Sequence, residues 1–103
     1  MDDIRGQLKA LSKRHSLEMI SILLDGPKHI AQLTNGLGIP YTTAQQRVAE
    51  LERVGLLNVI PDVDEASKRA IKRAHLANFR VELTPRTIRN IVTREQAKDM
   101  SSG

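Results

Sequence analysis

The stretch IPYTTAQQRVAELERVGLL, residues 39–57, decides the fold. Its later part reads as an amphipathic helix, because Ala44, Val48 and Leu51 recur at i, i+4 and i+7 and define one buried face. Gly55 stands where a helix ends in a left-handed residue. The early part is of another kind. Tyr41, Thr42, Thr43, Gln45 and Gln46 put hydroxyls and side-chain amides, rather than charges, at the start of the helix. Such a face suits a surface read by hydrogen bonds. The plain alternative is a solvated face, since Gln is a good helix former anywhere.

Upstream, Ile4, Leu8 and Leu11 predict a first helix from Asp3 to about Arg14. In SLEMISILLDG, Leu17, Ile20, Leu23 and Leu24 predict a second, with Ser16 as its cap and Asp25-Gly26-Pro27 as its stop. KHIAQLTNGLG gives a third helix with Ile30, Leu33 and Leu37 inward. Gly38 ends it, and Ile39-Pro40 is a tight turn into the helix at Tyr41.

Downstream, the period changes to two. Val59, Pro61 and Val63 alternate with Asn58, Ile60 and Asp62, and Phe79, Val81 and Leu83 alternate with Arg80 and Glu82, so both runs are expected strands. Pro61 places the first at an edge or a bulge. Thr84-Pro85 reads as a cap followed by Pro at the first helical position. It opens a last helix over about 85–98 with Ile88, Ile91 and Val92 as its stripe; residues 99–103 are expected to fray.

Composition narrows the classes. The 103 residues suit a single domain with one modest core, and one Phe, one Tyr and no Trp make that core aliphatic. Zero Cys removes disulfides, thiolate metal sites and cysteine nucleophiles, and fits a reducing cytoplasm. No apolar run approaches the roughly 20 residues that span a bilayer, and MDDIRGQ lacks the pattern of a secretory signal. The expected location is therefore cytoplasmic. Sixteen Lys and Arg against twelve Asp and Glu leave +4, which reads equally well as a site for a polyanionic partner or as a merely basic surface.

The positive charge is not evenly spread. The segment from Lys68 to Arg80 holds Lys68, Arg69, Lys72, Arg73 and Arg80, with His75 and no acid. It reads either as an extended, mobile loop or as a short helix, because Ala66, Ala70 and Ala74 repeat every four residues. The extended form is the expectation.

Two short helices joined by a tight turn, with a β-hairpin after the second, make a winged helix-turn-helix. The expected fold is thus mainly α with a small β-hairpin: about five helices in one domain over 1–98, and a long basic wing over about 58–83. In that arrangement the helix from Tyr41 faces double-stranded DNA. Gln pairs bidentately with adenine, and Thr donates, accepts or touches a thymine methyl. Arg47 is expected to reach a phosphate or a guanine, while Tyr41 either contacts a phosphate or packs over the turn. The wing cations track the backbone or enter a flanking minor groove.

From about Leu8 to Thr84 the chain resembles the ArsR-type winged-helix repressors and, more distantly, their MarR relatives. The likeness rests on KALSKRHSLEMISILLDGPKHIAQLTNGLGIPYTTAQQRVAELERVGLL: a leucine-rich helix, a Gly-Pro turn, an IAQL helix start, an LGIP turn and a Leu-x-x-x-Gly-Leu ending, in family order. It implies that Thr42, Thr43, Gln45, Gln46 and Arg47 face the major groove, and that the protein represses transcription. It also implies a homodimer held by the first and last helices. Ile4, Leu8 and Leu11, with Ile88, Ile91 and Val92, are then interface residues, although either stripe reads equally well as core. Two recognition helices in such a dimer would read half-sites about one helical turn apart.

The departures carry expectations too. Metal sensors of this family use cysteines, or His and carboxylate clusters on the last helix. Here Cys is absent, and His15, His29 and His75 are scattered, so no metal and no cofactor is expected. The chain gives no basis for naming a small-molecule effector. Nor is an enzyme expected: TNGLG is too short for a phosphate loop and lacks the following Lys-Ser or Lys-Thr, and no Ser-His-Asp spacing stands out. Two competing roles share the same features, an architectural protein that coats DNA and a winged helix used for protein contacts.

Overall fold

The structure, a computed structural model, describes the backbone of residues 4–102 and the side chains of 4–98. Its elements are α1 (Ile4–Ser12), α2 (Ser16–Leu23), β1 (Lys28–His29), α3 (Ile30–Leu37), α4 (Tyr41–Arg53), β2 (Leu57–Val63), β3 (Ala70–Leu76) and α5 (Pro85–Ser102). Asp3, the expected start of the first helix, lies outside the described residues.

The core is aliphatic, as the composition requires. Met19, Leu23, Ile30, Leu33, Ala44, Val48, Leu51, Leu56, Leu57 and Ala74 are buried together, with Leu11, Leu37 and Phe79 packed at its margin. In α4 the buried residues are the expected Ala44, Val48 and Leu51. In α2 the stripe turns: Ser16, Met19 and Leu23 are buried, whereas Leu17 and Leu24 are 62% and 78% exposed. Ser16 accordingly does not cap α2. It sits fully buried in the first turn, and the cap position belongs to His15 in a left-handed conformation at φ 76.

The turn between α3 and α4 follows the sequence closely. Gly38 adopts φ 65 and its N–H donates to the Thr34 carbonyl at 2.9 Å, which ends α3. α4 ends in a Schellman motif: Gly55 is at φ 83, its N–H reaches the Glu52 carbonyl at 3.0 Å, and the Leu56 N–H reaches Leu51 at 3.0 Å. The chain then enters β2 directly, so helix and hairpin share one rigid junction.

The hairpin differs from the sequence expectation. β2 pairs with β3 from Leu57↔Leu76 to Val63↔Ala70, and residues 79–83, the expected second strand, are irregular. Segment 66–74 is neither a helix nor one long loop. It is the tip and half of an antiparallel strand. β1, which the sequence did not suggest, adds Lys28↔Ala74 and His29↔Arg73, giving sheet order β1-β3-β2. β2 is therefore an edge strand, the place Pro61 requires.

α5 opens as expected. Thr84 Oγ1 accepts the Thr87 N–H at 3.1 Å, and the Thr84 N–H donates to Thr87 Oγ1 at 2.8 Å, with Pro85 first in the helix. It continues to Ser102, past the expected end at Lys98. α5 packs closely against no other element; Arg5 of α1 grips Glu95 through two bonds of 2.8 and 3.0 Å. The molecule is 55 Å long, with a radius of gyration of 16.6 Å. A compact chain of this length has about 13 Å.

Candidate nucleic-acid interface

The outward N-terminal face of α4 is open. Thr42, Gln45 and Gln46 are exposed, Tyr41 is 49% exposed and Thr43 is half-buried. Pro40, in extended conformation at φ −61, delivers the chain into α4 without spending any of these side chains on a cap. Their donors and acceptors remain available to a partner.

Arg47 departs from expectation. Its Nε donates to the Arg14 carbonyl at 3.0 Å, and Nη1 lies 3.3 Å from both carboxylate oxygens of Glu50. The Arg47 and Glu50 side chains are only 17% and 15% exposed. The guanidinium thus binds α4 to the α1–α2 turn and is not free for a phosphate or a guanine. The cause is helical geometry: residues 44, 47, 48 and 51 form one stripe, so Arg47 points at the body.

Glu52 does similar work at the other junction. Its Oε2 accepts the Val59 N–H at 3.0 Å and holds the base of the hairpin against α4. The hairpin itself is organised by acids. Asp64 accepts from the Ser67 hydroxyl at 2.7 Å and from the Ala66 N–H at 3.3 Å, while its backbone N–H donates to the Arg69 carbonyl at 2.9 Å. The Ser67 hydroxyl, followed by the Ala66 N–H, holds the Asp64 carboxyl below the ordinary range. At the same tip Lys68 takes a left-handed conformation, φ 59.

The five expected wing cations divide. Lys68, Arg69 and Lys72 are exposed, and Lys68 meets only the exposed Glu65 at 3.8 Å, a contact of little strength. Arg73 is committed inside the sheet: its Nη2 lies 2.7 Å from Asp62 Oδ2 and 2.8 Å from His29 Nε2, joining all three strands. His29 Nε2 also lies 3.5 Å from Asp62 Oδ2, so the three side chains meet at one point of the sheet. Asp62 is held below the ordinary carboxyl range, first by the Val63 N–H at 2.8 Å and then by the Arg73 charge. Arg80 is not on the wing at all. It lies in the irregular segment after β3 and lines a groove of about 540 Å³ with Ile4, Gln7, Phe79 and Ile91.

Of the two stripes expected at a dimer interface, Leu11 packs against the core, and Ile4 and Ile91 are half-buried in that groove. Leu8, Ile88 and Val92 are 37%, 50% and 38% exposed. Among the described residues no group of His, Cys, Asp or Glu is arranged to hold a metal ion. Sequence reasoning missed the positioning residues Glu52, Asp64 and His29. Asp64 with Ser67 three residues on is a turn signal that was legible; the other two act across elements and had no local signature.

No family model and no curated protein matches the chain. Among solved structures, reduced HlyU from Vibrio cholerae N16961 is similar at 23% identity and TM-score 0.60, over 72% of this chain and 72% of that one. A second HlyU structure from the same organism matches at 26% identity and TM-score 0.58, over 72% of this chain and 74% of that one. Five helices and a small antiparallel sheet in this order, superposing on HlyU, make the chain a winged helix in fold.

Proposed function

We propose that the protein is a sequence-specific, double-stranded-DNA-binding transcriptional regulator that acts as a dimeric repressor. The observation that carries this reading is the α4 face of Tyr41, Thr42, Thr43, Gln45 and Gln46. It is hydrogen-bond-rich, uncharged and internally unengaged, on a helix that leads straight into a hairpin with three exposed cations. The likeness to HlyU, a winged-helix transcriptional regulator, supports the same reading.

In this mechanism α4 enters the major groove with its N-terminal turns, where the amides and hydroxyls meet base edges. Lys68, Arg69 and Lys72 meet backbone phosphates beside it. Three cations in each of two subunits release about six counterions, so affinity falls roughly 10³-fold between about 50 and 200 mM salt. That is shallower than five cations per subunit would give. The uncharged reading face favours a specific regulator over an architectural protein, which needs only the basic wing.

Fluorescence anisotropy tests the proposal with two duplexes of about 30 base pairs, long enough for two half-sites. One comes from upstream of the protein's own gene and the other is its scrambled counterpart. A preference of at least about a hundredfold supports a site-specific, self-regulating repressor. Equal tight binding to both, if it persists after selection from a random duplex pool, leaves the architectural role. No binding even at low salt turns α4 into a protein-contact surface.

A further inference from the structure

At the far end of α4 from the Thr and Gln face lies a cleft that the DNA-reading mechanism does not use. Its volume is about 300 Å³, and it is lined by Gly6, Lys9, Ala10 and Lys13 on one side and by Glu50, Arg53 and Val54 on the other. The spacing explains the pairing. Residues 6, 9, 10 and 13 share one face of α1 and its exit, and residues 50, 53 and 54 share one face of α4. Glycine at position 6 and the small, buried Ala10 leave the space between the helices open.

The charge in this cleft is uncompensated. Lys9, Lys13 and Arg53 take part in none of the ion pairs among the described residues. The sole carboxylate in the lining, Glu50, is already neutralised by Arg47. Three cations from α1 with its exit and from α4 thus line a concave space whose one carboxylate is already paired with Arg47. From Tyr41 to Arg53 the axial rise is about 18 Å, so the cleft stands well away from the end that reads bases.

We propose that this cleft binds a small, multiply charged anion of the phosphorylated or polycarboxylate class. The volume is at the low end for ligand sites, which suits a compact anion rather than a nucleotide. Bound there, it bridges α1 to α4 beside the Arg47 anchor, and so stiffens the seat of the recognition helix. The site does not depend on the DNA reading, because its occupant is measured on the free protein.

Isothermal titration at low ionic strength tests this with pyrophosphate and with citrate, which separate the phosphate from the carboxylate source. The variants are Lys9→Gln/Lys13→Gln/Arg53→Gln in the cleft, and Lys68→Gln/Arg69→Gln/Lys72→Gln on the wing, which removes equal charge elsewhere. Saturable binding of at least one anion is expected, weakened about tenfold or more by the cleft variant and kept by the wing variant. Arg53→Gln alone, with a cooperative melt, stands in if the triple variant does not fold. Absence of saturable binding of either anion overturns the proposal, as does equal weakening by both variants. It is overturned too if the cleft variant lowers the salt slope of the DNA-bound dimer by about five, since three cations in each of two subunits would then be meeting backbone phosphates.

Discussion

Arg47 and Gln46 are neighbours in sequence with opposite fates, because a helix turns about 100° per residue. Gln46 points outward, while Arg47 joins the buried stripe and fastens Glu50 and the Arg14 carbonyl. Replacing Arg47 with Ala leaves a largely buried carboxylate without its cation, and should destabilise the fold by about 1–2 kcal/mol. Sequence preference should survive in the folded fraction. Gln46→Ala should leave stability within about 0.5 kcal/mol yet lower discrimination at its base pair by about 1–3 kcal/mol. Thermal melts beside anisotropy titrations separate the two. If Arg47→Ala erased sequence preference without lowering Tm, Arg47 would be a reading residue after all. The stripe of 44, 48 and 51 was legible in the sequence, and the place of Arg47 beside it was not. Charge alone suggested an outward arginine, and what outweighed it was a carbonyl on a distant turn that accepts from the guanidinium. That partner is invisible to any local pattern.

At the scale of elements, the wing was the least legible part. Phe79, Val81 and Leu83 alternate more clearly than AIKRAHL, yet the latter forms β3. Pairing β2 with residues 70–76 closes a six-residue turn at 64–69, whereas pairing it with 79–83 would order a far longer connection at greater entropic cost. Asp64 then secures the short turn through Ser67 and Ala66, and Asp62 secures the strands through Arg73. Both carboxyls are held below their ordinary range. A depressed folded value means the unfolded chain binds protons more readily. Their contribution is therefore complete above the ordinary carboxylate range and is lost as pH falls through the folded values. The wing tip should loosen below about pH 4, and Asp64→Asn should loosen it already at neutral pH. Amide exchange at residues 64–70, compared between pH 5 and pH 3, reads this out. Acid sensitivity identical in the wild type and Asp64→Asn would remove Asp64 from the account.

Over the whole molecule, the four N-terminal helices and the sheet form a closed core, and α5 stands apart from it. Helices in proteins draw most of their stability from packing an amphipathic face. Ile88 and Val92 leave apolar surface open along α5, and Leu8 does so on α1. The sequence predicted both stripes and left open whether they serve core or interface. In the proposed dimer these three side chains, on two helices tied together by Arg5–Glu95, would lie at the interface with the second copy. Changing Ile88 and Val92 together to Asp puts two charges into that surface and leaves the core residues untouched. Sedimentation equilibrium should find the wild type dimeric and the variant monomeric, with melting of the body little changed. Binding to a duplex carrying two half-sites should fall by about 10²–10⁴, because the second half-site is then no longer reached intramolecularly. Binding to a single half-site should stay as it was, since α4 and the wing are intact. A wild type that sediments as a monomer, or a variant that keeps both its dimer and its two-site affinity, would move these stripes out of the interface and leave each chain to read DNA alone.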